Sequence, residues 1–364
     1  MTGRPPIRIL DAAGSPDQIG RAHGAAYADE IRRYADDRVR LVASGLWSGG
    51  PITEAEVLAI ADSMVPAHIA FDSALQTEME AMSDAAGISV PEAVIVGGFT
   101  DFVDTVRAEL GSELPPELAE DDCTAVITPD DRSAGAGFLA QTWDMHDTAT
   151  DHVLLLRLEP DDAPAARVFT TTGCLGQIGM NAEGLAIGIN NLNGLDGRRG
   201  VAWTSVVRGM LKVTTADEAL DVLLGADLAG AHNFLVLDRH GNGYNIEAMP
   251  SVRRVTKLED TPLVHTNHTL DPDTTAVQAT KAPPLLASSS LRLDTARALL
   301  ADGDIDEERL FELTREPDAI CQIAVEPFHI ESSGAAVMRP KTGDFWACWG
   351  RPAENDYQHV QATS

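Results

Sequence analysis

Apolar positions along this chain change their spacing once, near residue 123. Upstream the period is helical. Ser15-Pro16-Asp17-Gln18 forms a capping box with proline at the first helical position, and Ile19, Ala22, Ala26, Ile31 and Tyr34 follow at helical intervals. A second box, Thr53-Glu54-Ala55-Glu56, precedes Val57, Ile60 and Met64. Leu75, Met79 and Met82 mark a third helix, with Gly87 where a left-handed C-cap belongs. Glu92 to Val103 is apolar and predicts another helix. Downstream the period falls to two. Segments 124–128, 137–142, 153–158, 167–171, 177–181 and 185–190 read as short strands separated by turn residues such as Pro129-Asp130-Asp131. Helices return over 202–213 and 216–224, and Arg239-His240-Gly241-Asn242-Gly243 joins 233–238 to 244–248 as a hairpin. A strand over 263–267, helices over 291–300 and 306–314, and strands over 335–339 and 344–349 complete the reading. Short successive strands with helices in blocks predict packed antiparallel sheets covered by helices, not a dinucleotide-binding alternation.

Composition removes several classes of function. With 364 residues and 44% hydrophobic content the chain is long enough for a large core or two domains. No apolar run reaches the roughly 18 residues of a membrane span. The opening MTGRPPIRIL lacks the apolar run of a signal peptide. Cys123, Cys174, Cys321 and Cys348 lie far apart, which argues against a zinc ribbon or disulfide framework and leads us to expect a reducing cytoplasm. A net charge of −29 repels nucleic acid and anionic membrane, so neither is expected as a partner. Walker A, G-x-S-x-G and H-E-x-x-H motifs are all missing from the sequence.

The change of period coincides with Glu120-Asp121-Asp122-Cys123-Thr124-Ala125-Val126-Ile127, a polar loop running into a β-branched apolar run. Two readings of Cys123 follow. It is a buried small hydrophobe, as most intracellular cysteines are. Or the chain cuts itself between Asp122 and Cys123 and frees an N-terminal nucleophile. Such a residue carries its own base, an α-amino group titrating at about 7.7–8.0 when unperturbed.

Motifs spread over nearly the whole chain carry a resemblance. They are Asp17-Gln18-Ile19-Gly20-Arg21-Ala22-His23-Gly24, Asp122-Cys123-Thr124, Gln141-Thr142-Trp143-Asp144 and Gly176-Gln177-Ile178-Gly179-Met180-Asn181. Gly184-Leu185-Ala186, His265-Thr266-Asn267-His268, Ala319-Ile320-Cys321 and Trp349-Gly350-Arg351-Pro352 complete the set. In their order and spacing the chain resembles the acyl-coenzyme A:6-aminopenicillanate acyltransferase-like family, which are N-terminal-nucleophile hydrolases. The resemblance implies an α+β fold, a four-layer αββα sandwich with a helical N-terminal segment. Residues 1–122 would be a leader, kept as a small subunit after the cut, and 123–364 the catalytic part headed by Cys123. It implies chemistry on an amide or thioester carbonyl with no cofactor. Cys123 matches the nucleophile, Asp144 the acid tied to processing and site order, and Asn267 the oxyanion donor. Asn190, in Gly188-Ile189-Asn190-Asn191, matches a polar pocket residue that would bind substrate.

Residue chemistry agrees with these roles. A side-chain amide is a neutral oxyanion donor that buries no charge, and a carboxylate beside Cys123 would order its protonated amine. The plain alternative for Asp144 is a structural acid at a strand end. For His265 and His268 the alternative is a metal site, but a spacing of three puts them on opposite faces of a strand. The chain departs from the family at Asp122, where glycine is usual, and at Gln322, where arginine is frequent. The first departure predicts slow processing.

The expected function is a self-processing cysteine amidohydrolase or acyltransferase working through a thioester acyl-enzyme. Its partners would be a small-molecule amide or acyl thioester and the two fragments of one precursor, and a homo-oligomer is compatible. The alternatives are an unprocessed, non-catalytic binding member of the fold and a His265/His268 metallohydrolase.

Overall fold

The structure, a computed structural model, describes residues 4–45, 47–111, 123–326 and 329–362. Asp122 and the rest of 112–122 lie outside the described residues.

The first part contains β1 (Ile9–Gly14), α1 (Pro16–Ala26), α2 (Ala28–Ala43), α3 (Glu54–Asp62), α4 (Val65–Phe71), α5 (Ser73–Ala86), α6 (Val90–Gly97) and α7 (Phe99–Leu110). Capping chemistry sets its boundaries. Ser15 Oγ accepts the Gln18 N–H while Gln18 Oε1 accepts the Ser15 N–H, and Thr53 with Glu56 repeats the arrangement. Gly87 ends α5 at φ +75°, the left-handed conformation glycine adopts without strain. The pattern from Ile19 to Tyr34, which predicted one helix, is broken at Tyr27 into α1 and α2. Two glycines of the first motif let α1 lie directly on α5. A Cβ on Gly20 would meet Glu78 O at 2.1 Å, and one on Gly24 would meet Met82 O at 2.3 Å.

Beyond Cys123 the elements are β2 (Ala125–Ile127), β3 (Leu139–His146), β4 (Val153–Pro160), β5 (Ala166–Thr171), β6 (Ile178–Asn181), β7 (Leu185–Asn191), α8 (Trp203–Met210) and α9 (Ala216–Gly225). There follow β8 (His232–Asp238), β9 (Gly243–Ala248), β10 (Arg253–Lys257), β11 (Leu263–His265), α10 (Pro272–Thr275), α11 (Pro283–Leu299), α12 (Glu307–Arg315), β12 (Ile330–Arg339), β13 (Asp344–Trp349) and β14 (Gln358–His359). They build two sheets, of order β1-β4-β5-β6-β7-β8-β9-β10 and β11-β2-β3-β12-β13-β14. All pairings are antiparallel except β1 with β4, which run parallel.

Successive side chains of β2 and β3 point to opposite faces of the smaller sheet, and both faces are covered. Ala125, Ile127, Leu139, Trp143 and Met145 point into the core shared with the larger sheet. Their neighbours Val126, Phe138 and Ala140 point the other way, onto Leu293 and Ala296 of α11 and Leu310 and Leu313 of α12. β2 and β3 face β7 and β8 across the inter-sheet core, where Trp143 meets Phe169 edge-on at 6.3 Å between ring centres. On the larger sheet α1 lies over β1 and β4 and α9 over β8 and β9, with α5 packed on α1 and α8. Among the described residues no helix is long and apolar enough to cross a membrane.

Candidate active site

Cys123 stands just before β2 and is fully buried. Hydrogen bonds to β3 set its position. The Thr124 N–H donates to Thr142 Oγ1 at 3.1 Å and the Thr142 N–H to Thr124 O at 3.0 Å. That register brings the cysteine sulfur beside the main chain of Asp144, whose N–H donates to Sγ at 3.4 Å and whose carbonyl lies 3.7 Å from it. The carbonyl of Cys123 is held separately. Asn190 Nδ2 donates to it at 3.2 Å and Arg292 Nη1 at 2.6 Å.

Asn190 is placed by the residues around it in Gly188-Ile189-Asn190-Asn191. β6 pairs with β7 at Gly179–Ile187 and Met180–Ala186 and then ends, so Ile189 has no strand on that side. Gln141 of β3 reaches across the inter-sheet core instead. Its Oε1 accepts the Ile189 N–H at 2.7 Å and its Nε2 donates to Ile189 O at 3.1 Å. Gly188 leaves the room, since a Cβ there would sit 2.6 Å from Gln141 Oε1. Asn190 Oδ1 in turn accepts from Asn233 on β8 at 3.4 Å, and Asn233 donates to Asn245 Oδ1 on β9 at 2.8 Å.

Asn267 lies just past β11, which stops at His265 rather than running through 267. α11 holds it: the Asn267 N–H donates to Ser289 Oγ at 3.0 Å and Arg292 Nη2 donates to Asn267 Oδ1 at 3.2 Å. Asn267 Nδ2 donates to Asn191 O at 3.1 Å, which uses one of its two amide hydrogens. The four residues named from the sequence, Cys123, Asp144, Asn190 and Asn267, therefore meet in one buried cluster. Asp122 lies outside the described residues.

Arg292 is the member sequence reasoning missed. It is fully buried and bridges Cys123 and Asn267. The sequence did not mark it: Leu286, Leu291 and Leu299 of α11 are exposed, and only the structure shows that Leu285, Ser289, Arg292 and Ala296 share the inward face. Gln322 turns its side-chain amide to Ala319 O, and its main-chain N–H donates to Ser332 Oγ at 2.9 Å.

His265 and His268 have separate partners. His265 Nε2 lies 2.9 Å from Glu247 Oε1, and His268 Nδ1 lies 2.7 Å from Ser289 Oγ. Among the described residues no group of three His, Cys, Asp or Glu is placed to hold a metal ion. Burial works against ionisation of the other thiols. Burial pushes the thiols of Cys174 and Cys321 up and takes Cys348 up to about 12; at Cys321 the Asp144 carboxylate adds to the shift.

Residues 130–354, more than half of the chain, match the family described as "Acyl-coenzyme A:6-aminopenicillanic acid acyl-transferase". The chain belongs to this family. The matched region takes in Asp144, Asn190, Asn267 and Arg292 and starts after Cys123. This acyl-transferase family member is 26% identical over 262 residues to the "Acyl-coenzyme A:6-aminopenicillanic-acid-acyltransferase 40 kDa form" of Emericella nidulans, covering 71% of this chain and 68% of that protein. Among solved structures it is similar to a Caenorhabditis elegans N-acylethanolamine-hydrolyzing acid amidase ortholog, at 15% identity and TM-score 0.43, over 60% of this chain and 93% of that one. It is also similar to a mutant conjugated bile acid hydrolase from Clostridium perfringens, at 10% identity and TM-score 0.44, over 66% and 97% of the two chains.

Proposed function

We propose that this family member is a self-processing cysteine amidohydrolase or acyltransferase built as a four-layer αββα sandwich of the N-terminal-nucleophile type. Cleavage between Asp122 and Cys123 would leave residues 1–122 as a small subunit and give Cys123 a free α-amino group. The amine takes the thiol proton and Sγ attacks the carbonyl carbon of a linear amide or acyl thioester. The second amide hydrogen of Asn267, with main-chain N–H groups, stabilises the oxyanion. Collapse expels the amine or thiol, which takes the proton, and leaves a thioester on Cys123. Water or an acceptor amine then attacks that thioester and frees the sulfur. Asn190 and Arg292 hold the Cys123 carbonyl while the Asp144 N–H holds its sulfur, so the nucleophile is oriented before substrate arrives. The substrate is a small molecule and the site of action a reducing cytoplasm.

The observation that carries this reading is the meeting of Cys123, Asp144, Asn190 and Asn267 in one hydrogen-bonded cluster. One observation favours the non-catalytic alternative: Cys123 is 0% exposed. Intact mass of the purified protein and of Cys123→Ala, before and after incubation with an acyl thioester, decides between them. The proposal expects two fragments and an acyl adduct on the wild type, and an uncut, unmodified, folded variant. Turnover by Cys123→Ala close to that of the wild type would refute the assignment.

A further inference from the structure

His265, the first residue of His265-Thr266-Asn267-His268, has no role in the chemistry above, yet it is fully buried and both its ring nitrogens face acceptors. Nε2 lies 2.9 Å from Glu247 Oε1 and Nδ1 lies 2.7 Å from the Thr266 carbonyl. A backbone carbonyl and a carboxylate both accept and neither donates, so this geometry requires a proton on each nitrogen. Three further donors, the Leu270 and Asp271 N–H groups and the Thr274 hydroxyl, point at the Glu247 oxygens and favour the carboxylate form. Burial pushes the Glu247 carboxyl up, but hydrogen bonds and charge from His265, with the Thr274 hydroxyl and the Leu270 N–H, outweigh burial and hold it below the usual range. The two residues form an imidazolium–carboxylate pair linking β9 of the larger sheet to β11 of the smaller.

The same carboxylate gathers the segment that carries Asn267. Glu247 Oε1 also accepts the Leu270 N–H at 2.5 Å, while Oε2 accepts the Asp271 N–H at 3.2 Å and the Thr274 hydroxyl. Its partners thus stand at both ends of 265–274, with Asn267 between them. From the opposite side Ser289 and Arg292 of α11 grip the Asn267 main chain and Oδ1. Buried ion pairs stabilise a fold poorly compared with apolar packing of the same volume. We propose that Glu247 and His265 are positioning residues for Asn267, clamping its loop so that the second amide hydrogen points at the oxyanion formed on Cys123. This deepens the acyl-enzyme reading and rests on it.

The experiment compares two reactions of Cys123 in the purified full-length protein. A p-nitrophenyl ester acylates the thiol through an oxyanion and releases p-nitrophenolate. Iodoacetamide alkylates it by direct displacement of iodide and forms no oxyanion. In Glu247→Gln and His265→Gln the acylation rate is expected to fall roughly 10- to 100-fold, the scale of a misplaced catalytic group, with alkylation unchanged. Acylation and alkylation falling together, or neither falling, would overturn the proposal. A second measurement needs no working variant: 15N signals of histidine-labelled wild type. The His265 signal, assigned by its loss in His265→Gln, is expected to show two protonated nitrogens at neutral pH. One bare nitrogen would overturn the pair. If wild-type Cys123 takes iodoacetamide but not the ester, the acyl-enzyme reading fails and the positioning role falls with it, while the nitrogen signals show that the pair itself stands.

Discussion

Replacing Gly188 with alanine tests the idea that the inter-sheet tie, not local strand geometry, places Asn190. The new Cβ would lie 2.6 Å from Gln141 Oε1 and 2.9 Å from Leu139 Cδ2. The leucine methyl can move aside. The glutamine cannot without releasing Ile189. Retreat of Gln141 breaks two hydrogen bonds, each worth about 1 kcal/mol net, and strands the buried Ile189 N–H and C=O at about 1–3 kcal/mol apiece. The two stranded groups set the expected cost at about 2–6 kcal/mol, read as a lower urea midpoint with an unchanged m-value. Asn190 is the next residue, so its bond to the Cys123 carbonyl should loosen and acylation should slow more than stability alone predicts. The cause is isolated by a double-mutant cycle with Gln141→Ala. Removing the glutamine empties the space the Cβ needs, so Gly188→Ala should cost far less in that background, with a coupling of about 1–3 kcal/mol. Additive effects, or a single-variant cost under about 0.5 kcal/mol, would show that the tie does not place Asn190.

Asn267→Ala should lower turnover roughly 100- to 1,000-fold while leaving thermal unfolding nearly unchanged; a few-fold loss with a sharp drop in Tm would make Asn267 structural. Acid should destabilise the fold, because His23 and His68 each accept a main-chain N–H at Nε2 and burial lowers both to about 4. Unfolded they titrate at about 6.5, so stability present above that value is lost as pH falls through 4, by up to about 3 kcal/mol each. Asp104, pushed by burial up to about 7, works in the opposite sense, so urea midpoints at pH 7.5 and 5 are compared in wild type and His23→Gln, and an equal acid loss in both would clear His23. Asp122→Gly should speed the cut, since glycine lacks the Cβ and charge that oppose the tight acyl-shift turn; complete cleavage of freshly purified wild type, with no gain in the variant, would show Asp122 to be no obstacle.

Legibility tracked how local the cause of each feature is. The helix starts at Ser15 and Thr53 and the end at Gly87 are written within four residues, and the structure places them there. The strands from 125 to 191 were readable as short, largely apolar runs between turn residues, and they are buried nearly throughout because both faces of the sheets are covered. Missed elements depend on distant partners. β1 buries only Ala12 and owes its conformation to a parallel pairing with β4, where Ile9 sits opposite Leu155. β10, sequence RRVTK, is an edge strand with no apolar alternation to betray it. The break at Tyr27 has no glycine or proline to announce it. At the site, chemistry-bearing residue types in motif context were readable, whereas Arg292 acquired meaning only when α11 was laid against Cys123. Gln141 shows the opposite case: it was visible in a motif, but its job of replacing a missing strand beside Ile189 was not.

The first 111 residues reach the site by more than sequence continuity. β1 completes the larger sheet beside β4. Glu78 of α5 holds Arg208 of α8 through both carboxylate oxygens, at 2.7 and 2.9 Å, and Arg208 also donates to Leu175 O at 2.9 Å. α7 does the same nearer the chemistry. Asp104 accepts the Gly194 N–H at 2.8 Å, just past β7, and the Ala231 N–H at 3.1 Å, just before β8. Asp101 accepts the Trp203 N–H at 2.7 Å and lies 2.9 Å from His232 Nδ1, at the start of β8. These carboxylates pin the same end of the two strands that carry Asn190 and Asn233. A chain cut next to Cys123 would leave every one of these contacts in place, because none depends on the bond before the cysteine. The cut then need not open or rearrange the site. What it changes is one atom: the nitrogen of Cys123 passes from an amide, which cannot take a proton near neutral pH, to an amine, which can. Under the proposed function, self-processing would install a base beside a nucleophile that is already positioned.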